Sequence, residues 1–162
     1  MMNRRTLLFS GAAAVIAAGA GYSFLRPGRS AAETFEVSLS EAEWRERLTP
    51  QAFAVLRKEA TERPFTSALL KEKRDGVFTC AGCDLDLYDS KTKFDSGTGW
   101  PSFWQALPDA VRTRDDYSLI FPRTEVHCRR CGGHLGHIFD DGPPPTGKRH
   151  CINGVALGFR PR

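Results

Sequence analysis

Four of the five cysteines in this chain stand in two Cys-x-x-Cys pairs, Cys80 with Cys83 in "CAGC" and Cys128 with Cys131 in "CRRC". No other feature limits the fold as tightly. Each pair brings two sulfurs to one side of a tight turn, and two such knuckles supply the four thiolates of a closed tetrahedral Zn2+ site, one ion per chain. The segment between the knuckles is longer than in compact zinc ribbons, so the metal has to tie together two distant parts of one domain. Two other uses stay open: a pair of disulfides in an oxidising compartment, or a thioredoxin-like redox pair. A redox pair belongs at a helix start, whereas two matched knuckles in a β-rich context favour metal. A four-thiolate site has no open position for water, so the expected zinc is structural.

The texture around the knuckles is β-rich. From Gly76 onward short apolar runs ("GVFTC", "DLDLY", "AVRT", "TEVHC", "GHIF", "HCINGVALGF") are broken by Gly, Pro and Asp, and "DGPPPTGK" reads as a stiff connection. Ahead of them, "SLSEAEWRERL" sets Ser40 three residues before Glu43, a reciprocal capping box. Thr49 and Pro50 then read as cap and first residue of a second helix through "QAFAVLRKEA", limited by Pro64. Trp44, Phe53, Val55 and Leu56 are expected in the core. The predicted fold is mainly β (α+β): twisted antiparallel sheets of short strands with two short N-terminal helices, stapled by zinc.

The N-terminus reads as a targeting segment. Residues 1–32 hold a charged start, an apolar run from Leu7 to Leu25 and small residues at Ser30 and Ala32 suited to cleavage. Arg4 and Arg5 resemble the arginine pair of bacterial twin-arginine leaders, which export folded proteins to the periplasm. Retained, the run is about long enough to anchor the chain in a membrane; cleaved after Ala32, it leaves a domain of residues 33–162. The leader carries Arg4, Arg5, Arg26 and Arg29 and no acid, so 23 basic residues against 19 acidic ones become 19 against 19. A neutral domain has no electrostatic footprint for nucleic acid or an anionic membrane. Thiolates already holding zinc would also be protected from bridging in an oxidising space.

Cys151 is left over. If "RHCIN" is a strand, Arg149, Cys151 and Asn153 share one face and His150 and Ile152 the other. A cation and an amide beside a thiol favour the thiolate, whereas a lone cysteine among apolar neighbours is an inert small hydrophobe. All four histidines, His127, His134, His137 and His150, fall in the same C-terminal stretch. Their spacing allows a second metal site, structural roles or catalysis. On a regular strand His134 and His137 point to opposite faces, so both reach one site only if the chain bulges near Gly136.

Taken together, "SGTGWPSF", "GGHLGHIFDDGPPPTGKRHCINGVALGF" and the two knuckles resemble the B-type methionine sulfoxide reductases, from about Ser40 to the C-terminus. The resemblance implies reduction of the R epimer of methionine sulfoxide in oxidised proteins. It implies that Cys151 is the nucleophile that attacks the sulfoxide sulfur and becomes a sulfenic acid. It further implies that His137, His134 and Asn153 orient or protonate the sulfoxide oxygen, that Arg149 stabilises the thiolate, and that Trp100 and Phe103 bind the substrate, the indole face against its methyl group. An acid near the oxygen and an aromatic face near a methyl are physically apt for those tasks. Many members of that family carry a second, resolving cysteine where this chain has Thr98. With the other cysteines assigned to zinc, an external thioredoxin-like protein or small thiol is expected to act on the sulfenic acid. Two further readings are a zinc-knuckle binding module without catalysis and a secreted disulfide-bonded domain; metal content and a sulfoxide assay separate the three.

Overall fold

In a computed structural model of the protein, which describes residues 33–162, both capping signals become helices. The expected leader lies outside the described residues. Helix α1 (Glu41–Arg47) begins at Ser40, whose hydroxyl accepts from the Glu43 amide while the Glu43 carboxylate accepts from the Ser40 amide. Helix α2 (Pro50–Lys58) begins at Thr49, whose hydroxyl accepts from the Ala52 amide at 3.1 Å. It stops two residues short of the expected pattern because Glu59 turns into the left-handed region. The helices bury Trp44, Ala52, Phe53, Val55 and Leu56.

Nine strands follow. Strands β1 (Gly76–Cys80) and β2 (Asp86–Asp89) join the C-terminal β9 (Leu157–Pro161) in an antiparallel three-stranded sheet ordered β2-β1-β9. The other six are β3 (Lys93–Phe94), β4 (Ser102–Phe103), β5 (Val111–Asp116), β6 (Arg123–Cys128), β7 (His134–Phe139) and β8 (Arg149–Ile152), ordered β3-β4-β8-β7-β6-β5 with every described pairing antiparallel. The two-residue strands β3 and β4 were hidden in the sequence, because two residues carry no legible alternation. The long run "HCINGVALGF" is not one strand: a short 3-10 turn at Gly154–Ala156 breaks it and passes the chain from one sheet to the other.

The core between the sheets is aromatic. Phe78 of β1, Tyr88 of β2 and Phe103 of β4 are fully buried, with Tyr88 stacked on Phe103 at 4.3 Å and Phe78 edge-on to it at 4.9 Å. Burying a ring of this size stabilises by about 2–3 kcal/mol relative to leaving it exposed. Phe103 therefore corrects the expectation that it binds substrate: its ring is committed to the core between the sheets.

The knuckles join the two sheets. Cys80 ends β1, Cys128 ends β6, and Cys131 lies in the turn to β7. Both knuckles close alike, with the residue after the second cysteine in the left-handed region and its amide on the first cysteine's carbonyl: Asp84 (φ 59°) to Cys80 and Gly132 (φ 66°) to Cys128, each at 2.8 Å.

Candidate active site

Strands β7 and β8 bring the C-terminal motif together. In their antiparallel register His137 faces Cys151 and Phe139 faces Arg149, and on the other flank Ser102 of β4 faces Cys151. Directly paired residues on one face stand with Cβ atoms about 5 Å apart. Side chains alternate, so His150 and Ile152 turn to the far side; His150 meets the Tyr88 hydroxyl at 3.2 Å. Burial pulls His150 down to about 4, which leaves it a neutral core residue.

The bulge that two cooperating histidines require is present. Val126 pairs with Gly136 but His127 pairs with His134, so Leu135 is an extra residue in β7. The rings of His134 and His137 consequently meet edge-on at 5.4 Å. The Leu135 carbonyl accepts from both the backbone amide (2.9 Å) and the side-chain Nδ2 (3.0 Å) of Asn153. Gly136 is needed because an added Cβ would sit 2.0 Å from the Cys151 carbonyl oxygen.

Cys151 is half-buried and lines a cleft of about 130 Å³ together with Thr61, Trp100, Arg123, Gly136, His137, Phe139 and Asn153. Burial pushes its thiol above the ordinary value, and this outweighs the downward pull of the Arg149 charge and of hydrogen bonds from Thr98 and Arg149. The expectation of a resting thiolate is thus corrected. Arg149 is also engaged elsewhere, bonded to Asp141 through Nε (2.8 Å) and Nη2 (2.9 Å) and stacked on Phe139 at 4.4 Å.

His137 stays neutral. Burial lowers it more than its 2.8 Å bond from Nε2 to Asp116 raises it. Asp116 is an acceptor held well below the usual carboxylate range, by the Ser118 hydroxyl and amide first and then by His137 and Arg123. A neutral imidazole that donates from Nε2 keeps Nδ1 as an acceptor. His134, by contrast, lines the adjoining cavity of about 370 Å³ behind His137 and not the Cys151 cleft. Its Nδ1 meets Glu125 at 2.6 Å, and its Nε2 is buried with no hydrogen-bond partner. Burial pushes Glu125 up, but bonds from His134 and Arg114 win and hold it ionised. His127, fully buried against the edge of Phe35, is not part of the cleft.

Asn153 and Trp100 line the same cleft as Cys151. Asn153 Oδ1 accepts from the Glu62 amide at 2.9 Å and one Nδ2 hydrogen goes to Leu135, which leaves one N–H for the cleft. The Trp100 indole donates to the Glu62 carbonyl at 3.1 Å. Sequence reasoning missed Thr61, Glu62, Asp116, Arg123, Glu125 and Phe139. Of these only Phe139 had a readable signal, two residues beyond His137 on the same strand face.

The four knuckle cysteines are buried, with all four sulfurs within 4.8 Å of one another. Cys80 to Cys131 is 3.7 Å and Cys83 to Cys128 is 3.5 Å. Zinc–sulfur bonds of about 2.3 Å in a tetrahedron require edges of roughly 3.8 Å, whereas a disulfide requires about 2.05 Å. The cluster fits a four-thiolate metal site and does not fit the disulfide alternative.

A half-buried thiol in a small cleft beside a neutral imidazole and an anchored amide, in a β-domain that carries a four-cysteine cluster, is an arrangement suited to thiol chemistry. Residues 48–161 match the SelR domain model, and the chain belongs to that family. It is similar to the peptide methionine sulfoxide reductase MsrB of Methanosarcina barkeri, 54% identical over 76% of this chain and 88% of that protein. The MsrB of Pseudomonas putida is 54% identical over 74% of this chain and 91% of that protein. The chloroplastic B1 protein of Arabidopsis thaliana is 55% identical over 74% of this chain and 60% of that protein.

Proposed function

We propose that this chain reduces the R epimer of methionine sulfoxide in oxidised proteins, with Cys151 as nucleophile, and that it works in the periplasm after export by residues 1–32. The observation that carries this reading is one cleft lined by the Cys151 thiol, Trp100, His137 and Asn153, with His137 paired to Cys151 across the strands and room for a methyl sulfoxide head. The sulfoxide methyl lies against the indole, and its oxygen points to the free Asn153 N–H and His137.

The site holds one mobile proton, on sulfur, because burial keeps the thiol protonated and the imidazole neutral. That proton suffices for the first step. Cys151 sulfur attacks the sulfoxide sulfur and bonds to it while the thiol proton passes through His137 Nδ1 to the oxygen. The hydroxyl then transfers to the cysteine sulfur as the S–O and S–S bonds to the substrate sulfur break, leaving a sulfenic acid and a thioether. In sum, one thiol and one sulfoxide give one sulfenic acid and one thioether; cysteine loses two electrons and the sulfoxide gains them. An external thiol then attacks the sulfenic acid, releasing water and forming a mixed disulfide, and a second thiol frees Cys151. Cys80, Cys83, Cys128 and Cys131 would hold zinc, whose closed thiolate shell supplies cohesion and no chemistry.

The test uses the purified, zinc-loaded protein without reductant. The R epimer of methionine sulfoxide should give one methionine per chain and a sulfenic acid at Cys151, and the S epimer should give none. Activity in Cys151→Ser, or consumption of the S epimer, would overturn the reading; a disulfide between Cys151 and a knuckle cysteine would overturn the external-thiol step.

A further inference from the structure

Glu62 takes no part in the steps above, yet it touches three pieces of the site. Its amide donates to Asn153 Oδ1 at 2.9 Å, and its carbonyl accepts from Trp100 Nε1 at 3.1 Å. Its carboxylate accepts from the amides of Gly154 and Val155, the latter at 3.1 Å. The first two bonds are made by backbone atoms that any residue offers. Only the carboxylate depends on Glu62 being glutamate, and it grips the turn that directly follows Cys151, Ile152 and Asn153.

The grip is tight. A Cβ on Gly154 would lie 1.7 Å from Ser67 Oγ and 3.3 Å from Glu62 Oε1, so the turn approaches this segment only as glycine. Burial raises the Glu62 carboxyl, and the bonds that oppose the rise are the two amides, with no cation among them. A half-buried carboxylate without a cation is a costly way to satisfy two amides that a neutral side chain or water would serve. The reason for such a group lies in what it holds in place.

We propose that Glu62 is a positioning residue for the reduction: it locks the 153–155 turn to the 62–67 segment, and so fixes the Asn153 N–H and the Trp100 ring relative to each other and to Cys151. This rests on the reductase reading. In Glu62→Gln one backbone amide faces an NH2 group in place of an oxygen, and in Glu62→Asp the carboxylate is one methylene short of the turn. Misplacement of about 1 Å at a reacting centre costs on the order of 10²-fold.

The experiment has two independent arms on the full zinc-loaded chain. In single turnover, both variants should release methionine at least about tenfold more slowly than the parent, a loss in kcat with KM little changed. Reduction of the pre-formed sulfenic acid by dithiothreitol should be unaltered. By NMR, the Trp100 indole and Asn153 side-chain amide resonances should shift in Glu62→Gln, whether or not turnover is seen. Unchanged resonances in a folded variant, or a first turnover within about twofold of the parent, would overturn the proposal, as would equal slowing of both half-reactions. A parent chain that releases no methionine while its variant resonances still move would instead refute the reductase reading.

Discussion

Gly136→Ala tests the close approach of β7 to β8 directly. An alanine Cβ there would lie 2.0 Å from the Cys151 carbonyl oxygen, 3.0 Å from its carbonyl carbon and 3.1 Å from Ile152 Cα. All three are backbone atoms, so no side chain can swing aside. The strands have to part by about 1 Å, and overpacking of this kind costs roughly 1–3 kcal/mol. The ladder bonds on either side, where Gly136 pairs with Ile152 and His137 with Cys151, stretch as well, at about 1 kcal/mol for each one lost. A total of about 3 kcal/mol corresponds to a fall of roughly 10 °C in Tm for a domain of this size. Because the displaced residue is Cys151 itself, kcat/KM should drop by on the order of 10²-fold. Thermal unfolding followed by circular dichroism and a methionine-release assay read the two effects. Gly147→Ala is the control: its φ is 70° but nothing stands within 4 Å of the added atom, so only about 1 kcal/mol of backbone strain is expected. If Gly136→Ala behaved like Gly147→Ala in both assays, the reasoning from strand contact to catalysis would fail.

The activity profile should be bell-shaped with a broad neutral plateau. Its acid limb, where His137 gains a proton, should fall below the ordinary 6.5, and its alkaline limb, where Cys151 loses one, above the ordinary 9.0; limbs on the other sides of those values would contradict it. Asp116→Asn removes an influence that raises His137, so the acid limb should move to still lower pH, and an upward movement in the same titration would refute the pairing. Cys128→Ser should lose its metal by elemental analysis and unfold, because structural zinc contributes about 10 kcal/mol or more to small sites; a folded, metal-free, active variant would overturn the assignment.

The elements that were legible in the sequence are those whose signals are local. The capping residues Ser40 and Thr49, the run "GVFTC" and the paired knuckles each act within a few residues, and the structure has them where the pattern put them. What escaped depends on distant partners. Asp116 and Glu125 look like ordinary strand carboxylates until β5, β6 and β7 align them with His137 and His134. Phe103 sits within an aromatic-rich motif yet turns inward, because the two-residue strand β4 fixes its face by pairing with β8. The expected acidity of Cys151 failed for the same reason: the adjacent arginine is visible in the sequence, but Asp141 sharing that charge, and the burial that outweighs it, belong to the fold.

The unequal exposure of the five sulfurs sets how the molecule itself withstands the stress it would repair. Peroxide reaching this protein meets one accessible thiol, while the four that fasten the sheets lie almost wholly out of reach. If Cys151 cycles through a sulfenic acid as proposed, oxidation there is of the kind a thiol reverses, and the architecture survives to be reset.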